Sequence, residues 1–301
     1  TRRIGYLTLE TPGSDSSMVQ QALLRESLRR LELREGENLA IEWKFARGDV
    51  ARLPALAAQL VDARVELIVA AFSQAIVAAR DATGTIPIVM MGALAPVETR
   101  LVASLAAPGA NVTGTSYFAP EVSGKFIELL AQITPSPKRI AVLRNPDTPG
   151  TERYRSVYER AAALLRVRLV HFDVRRLEQT PAALHGIAAS GAGGLYIVGD
   201  SVINPSMPQI AGLALRRKLV SIGTALVHVR QGSLLYYGPD FPVMIERVAF
   251  YVRRILDGAA PARLPVEEPA KYELVLNLKT ARALGVRLPA SITEMVDRTI
   301  G

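Results

Sequence analysis

The feature that most constrains this chain is that it states nearly the same pattern twice. Arg3-Ile4-Gly5-Tyr6-Leu7-Thr8 opens one half, and Arg139-Ile140-Ala141-Val142-Leu143-Arg144 opens the other. Each is a short apolar run followed by a turn rich in Pro, Gly or polar residues, and then by a long helical pattern. The following strand patterns keep the same order in both halves. Residues 39–43 and 167–172 read as second strands, 67–72 and 195–198 as third, and 86–91 and 219–222 as fourth. Strands that alternate with helices predict parallel sheets covered by helices on both faces. Two such halves predict an α/β fold of two Rossmann-like lobes with a cleft between them.

The 301 residues suffice for two cores, and 49% hydrophobic with 21% charged residues is ordinary globular composition. No apolar run approaches the roughly 20 residues that span a bilayer. The absence of cysteine excludes disulfides, thiolate metal sites and cysteine nucleophiles together. The formal net charge is +8, yet the basic residues are scattered over helix faces such as Arg25, Arg29 and Arg30, without interleaved aromatics. Solvated helix faces explain this pattern, and no nucleic-acid partner is expected.

Further along, the chain predicts a helix near residues 97–105, a fifth strand at 112–116, and lobe crossings near Ala119-Pro120-Glu121 and Gly238-Pro239-Asp240. Met244, Val248, Tyr251, Val252 and Ile255 mark a strongly amphipathic helix, and residues 273–277 a late strand. Thr134-Pro135-Ser136-Pro137 is expected to break the helix over 122–132, with the second half starting at Lys138. The expected lobes are residues 1–117 with 240–265, and 118–239 with 266–301.

Enzyme motifs are missing. No GxGxxG follows a strand, and there is no GxxxxGK[ST] loop or GxSxG elbow. His171, His185 and His228 are far apart and lack ligand spacing; His171 reads as a strand residue, and His228 as a possible cleft residue. No catalytic residue, metal site or cofactor is expected. In open parallel sheets, ligands bind beyond the carboxyl ends of the strands. The residues there are Ser14 and Ser16 after the first strand, Phe72, Ser73 and Gln74 after the third, Gly92 and Ala93 after the fourth, and Ser116 closing the fifth. The second half supplies Asn145, Asp200, Ser201, Thr224 and Tyr236. Ser73 at a helix start would bind a carboxylate, Asp200 would pair with an ammonium group, and Phe72 and Tyr236 would pack on an apolar side chain. Plainer readings stand beside these: Ser73 and Asp200 as helix caps, Asn145-Pro146 as a turn, Phe72 as core. Either Ser16 or Ser17 would cap the first helix.

The stretches 53–58, 86–89, 101–114 (LVASLAAPGANVTG) and 264–281 (LPVEEPAKYELVLNLKTA) resemble the substrate-binding proteins of a bacterial ABC importer family. Some of its members bind tryptophan or related aromatic amino acids. The resemblance runs over essentially the whole chain. It implies a type I periplasmic-binding-protein fold with three hinge crossings, a small ligand trapped by lobe closure, and a membrane permease as partner. It also implies a monomer acting in the periplasm, its leader trimmed from this chain. The family's small residue and Thr-Pro after the third strand are replaced by Ala71-Phe72-Ser73, and its Asp-Pro loop by Ala95-Pro96. Its second-lobe acid is matched by Asp200, and its Tyr-Gly-Pro by Tyr237-Gly238-Pro239. A less polar pocket follows, suited to an aromatic or branched amino acid or a small aromatic carboxylate. A ligand-sensing module of the same fold in signalling is the alternative, and a two-lobed enzyme a weaker third reading.

Overall fold

The computed structural model describes residues 1–134 and 139–301, so the expected break at Pro135-Ser136-Pro137 and the start at Lys138 lie outside the described residues. The chain divides into two compact units, Thr1–Ala119 with Asp240–Ala270, and Pro120–Pro239 with Lys271–Gly301.

The first unit begins with strand β1 (Arg2–Thr8), helix α1 (Asp15–Arg30), β2 (Leu39–Phe45), α2 (Leu53–Asp62), β3 (Leu67–Ala71), α3 (Phe72–Ala82), β4 (Ile88–Ala93) and β5 (Val112–Ser116). The second contains α4 (Ser123–Ile133), β6 (Arg139–Arg144), α5 (Thr151–Leu164), β7 (Arg168–Asp173), α6 (Thr180–Ala189), β8 (Gly194–Ile197), α7 (Met207–Arg216), β9 (Val220–Gly223), α8 (Leu226–Arg230) and β10 (Leu235–Pro239). Helix α9 (Phe241–Leu256) returns to the first unit. The chain ends in the second with β11 (Tyr272–Asn277), α10 (Leu278–Leu284), α11 (Ala290–Thr293) and β12 (Arg298–Ile300).

The first sheet has the order β2-β1-β3-β4-β5 and is parallel throughout. β3 and β4 are buried along their whole length, as expected of central strands covered on both faces. Helix α9 packs on β3, β4 and β5 and against α1. Its buried face, Phe241, Met244, Ile245, Val248, Tyr251, Val252 and Ile255, repeats with helical period. Asp240 caps it by accepting from the Val243 N–H at 3.4 Å. The second sheet runs β12-β11-β10-β9-β8-β6-β7 and is parallel except between β10 and β11.

Three local expectations are corrected. Residues 97–105 form turns rather than a helix, because Ala95 and Arg100 take positive φ (42° and 55°) that interrupts helical geometry. The cap of α1 is Ser14, which accepts from the Ser17 N–H at 3.3 Å, rather than Ser16 or Ser17. Residues 266–270 group with the first unit, not the second. There the Val266 N–H donates to Leu105 O (2.7 Å), the Glu267 N–H to Gly114 O (3.0 Å) and the Ser116 N–H to Glu267 O (2.9 Å), laying this segment beside β5.

Candidate functional site

Because each sheet is parallel where the candidates lie, its strand ends share one edge. In the first unit these are the ends of β1, β3, β4 and β5.

At the end of β1 stands Glu10, which is almost wholly buried. Its carboxylate accepts from the Ser14 hydroxyl at 3.4 Å and the Ser16 hydroxyl at 3.3 Å. Ser16 Oγ accepts from Gln20 Nε2 (2.9 Å), and Gln20 Oε1 accepts from the Tyr6 hydroxyl (2.9 Å). Burial holds the Tyr6 phenol far above its ordinary pKa, so it remains a donor. A polar chain therefore runs from the core to the strand edge and orients both serines.

At β3 the strand turns directly into α3 through Phe72, whose φ is +65°. Ala71 takes the cap position without any side-chain bond, so Ser73 is not the cap. Ser73 Oγ accepts instead from the Leu94 N–H at 3.0 Å, tying α3 to the loop after β4. Gln74 is buried one residue further along α3. The Gly92 N–H donates to Thr115 Oγ1 (3.3 Å), and Ala93 O accepts from the Tyr117 N–H (2.8 Å). The Phe72 ring meets Tyr117 edge-on, with centroids 5.9 Å apart. Ser116 Oγ is buried with no hydrogen-bond partner among the described residues.

In the second unit, Asp200 follows β8 and is the hub. Its Oδ1 accepts from Asn145 Nδ2 (3.2 Å) and from the Val202 N–H (2.8 Å), and its Oδ2 from the Thr148 hydroxyl (2.6 Å). Asn145 in turn accepts from the Asp147 N–H at 3.1 Å. Each bond orients the buried carboxylate and offsets its desolvation. Thr224, after β9, accepts from the Gly199 N–H at 2.6 Å and so clamps the residue preceding Asp200. Ser201 is buried beside it in sequence.

One expectation fails here, and the open reading of His228 is decided. Tyr236 is not a site residue: it lies in the core with Val229 and Val275, and its hydroxyl donates to Pro239 O at 2.7 Å. Strand alternation instead leaves Tyr237 half-buried, beside Phe126 and Tyr272. His228 is likewise fully buried, and its Nε2 bonds Asn204 Oδ1 at 2.8 Å. Burial pushes its pKa down to about 3, so it is neutral. Among the described residues, no three His, Asp or Glu side chains are grouped to hold a metal ion.

The architecture agrees with what known proteins show. Residues 10–300 match the family model for the ABC transporter substrate binding protein. The chain belongs to that family. These substrate-binding proteins capture solutes and are not enzymes. A tyrosine-binding protein of Clostridioides difficile (strain R20291) is 27% identical over 254 residues, covering 84% of this chain and 73% of that protein. A conserved domain protein from Vibrio cholerae has a crystal structure with TM-score 0.91 at 27% identity, over 100% of both chains. The ABC domain from Streptococcus pneumonia, in complex with L-Trp, has TM-score 0.89 at 22% identity, again over 100% of both chains. Two α/β lobes with mostly parallel sheets, as in type I periplasmic binding proteins, are thus the fold. No helix among the described residues is long and apolar enough to cross a membrane.

Sequence reasoning about this substrate-binding protein missed Glu10, Thr148, Asn204 and Tyr117. Glu10 and Tyr117 were accessible to the rule that found the others, since each lies one or two residues beyond a strand. Thr148 and Asn204 were not, because their roles depend on loops that return to Asp200 and His228.

Proposed function

We propose that this protein captures an aromatic amino acid, or a closely related aromatic carboxylate, outside the cytoplasm as the solute receptor of an ABC importer. The periplasm is its place of action, and a membrane permease its partner. The observation that carries this reading is Asp200, a buried carboxylate whose two oxygens are fixed by Asn145, Thr148 and the Val202 N–H. A fixed buried anion is suited to an ammonium group, since it needs no reorganisation to meet a cation. In the first unit, Phe72 and Tyr117 form an aromatic pair at the strand edge. The tyrosine-binding relative and the tryptophan complex support the same ligand class.

The test is calorimetry with L-tyrosine, L-tryptophan, L-leucine and the des-amino analogue 3-(4-hydroxyphenyl)propionate. Aromatic amino acids are expected to bind without turnover. Asp200→Asn keeps the shape of the carboxylate but not its charge. It is expected to weaken the amine-bearing ligands by about 2 kcal/mol or more and to leave the des-amino acid nearly unchanged. Equal losses for both would mean that Asp200 organises its loop and does not read the ammonium group.

A further inference from the structure

Phe72 takes a left-handed φ of +65°, and Arg47, Ala95 and Arg100 take left-handed φ in loops. Glu32, Arg64, Arg166 and Lys218 also take positive φ, but each lies just past a helix C-terminus, where a left-handed residue commonly ends the helix. Phe72 does so at the start of a helix, between the last residue of the central strand β3 and the first turn of α3. For a bulky aromatic side chain this conformation is unfavourable, and it persists only where the surroundings impose it. Phe72 thus sits at a sharp strand-to-helix turn at the carboxyl end of β3.

Two neighbours are shaped to the ring. Tyr117 meets it edge-on, an interplanar angle of 75°, which is the arrangement aromatic quadrupoles favour. Gly92, at φ +80°, leaves the room: a Cβ there would lie 3.1 Å from Tyr117 and 3.4 Å from Phe72. Phe72 is nonetheless only partly buried, so the pair does not close off as core.

We propose that Phe72, Tyr117 and Gly92 form the specificity-determining platform for the ligand's ring: Phe72 stacks on it, Tyr117 holds Phe72 in place, and Gly92 sets the ring size admitted. This inference rests on the aromatic-solute reading above and adds the residues that select for it.

The experiment is calorimetry with L-tyrosine, L-tryptophan and L-leucine on the unaltered protein and on Phe72→Leu, Tyr117→Leu and Gly92→Ala, with thermal melts to verify folding. Leucine at position 72 or 117 preserves apolar bulk but removes the ring face. Each is expected to weaken tyrosine and tryptophan by about tenfold, with the double variant less than additive. Leucine binding should change by less than about twofold. Gly92→Ala should penalise tryptophan more than tyrosine; should that variant not fold, Tyr117→Leu carries the test. Phe72→Gly is expected to melt no lower than Phe72→Leu, since glycine relieves the strained φ. Folded variants with unchanged tyrosine and tryptophan affinity, or with parallel losses for leucine, would overturn the platform while leaving the solute reading intact. No binding of any of the three ligands to the unaltered protein would remove both.

Discussion

At the scale of single residues, small groups are placed where nothing larger fits. A Cβ on Gly114, at φ +125°, would overlap the backbone of Met90 across the sheet. Gly114→Ala is therefore expected to cost about 3 kcal/mol or more, read as a fall in melting temperature, because neither strand has room to shift. Gly223 and Gly199 serve His228 in the same way. A Cβ on Gly223 would overlap the imidazole, and one on Gly199 would lie 3.3 Å from its Cε1. The buried ring binds Asn204 and so braces the loop that follows Asp200. The unfolded chain protonates this histidine below about pH 6.5, whereas the folded chain does so only near pH 3. The unfolded state thus holds the extra proton between these values, and stability falls as pH drops through that window. Between pH 7 and pH 5 this one group removes about 2 kcal/mol. His228→Gln should flatten that part of the stability curve in urea melts at the two pH values. In the sequence, His228 read as a residue that could face a ligand. A lone histidine gives no sign of burial, and the glycines that house it lie five and twenty-nine positions upstream. Tyr236 and Tyr237 were similarly ambiguous, since alternation separates the two faces of a strand without saying which face is inside.

At the scale of elements, the strands and helices were legible because apolar runs such as 67–71 and the period of α9 are local properties. Elements whose existence depends on a distant partner were not legible. β12 is three residues long and forms by pairing with β11. The segment beside β5 is held by long-range bonds, including Thr113 Oγ1 donating to Leu264 O at 2.6 Å. It is also clamped by Arg247, which makes two 2.7 Å bonds to the two oxygens of Glu267. That paired cation lowers the Glu267 pKa. Arg247→Ala should loosen the segment without unfolding the unit. Hydrogen exchange at the Ser116 and Glu267 amides is expected to speed roughly fivefold, the equivalent of about 1 kcal/mol of local opening. The edge of β5 beside residues 266–270 would then lose order while the amides of β3 keep their protection.

At the scale of the whole molecule, repetition of the α/β pattern in the sequence correctly announced two units, since each half carries its own run of strands. The crossings near residues 120 and 239 also pointed to each unit borrowing from the far end of the chain, with the return placed after residue 265 where the structure has it after Ala270. The first unit needs α9, whose large apolar face covers β3, β4 and β5. A fragment ending at Ala119 is expected to keep helical far-ultraviolet dichroism but to lack the dispersed amide spectrum of a packed core, because that face of its sheet stays wet. Supplying residues 240–270 in the same molecule should restore it. The second unit waits too, since β10 lacks its antiparallel neighbour until β11 has been made. Neither core can close while the ribosome is still upstream of residue 240. During most of its synthesis the nascent chain therefore holds no finished domain.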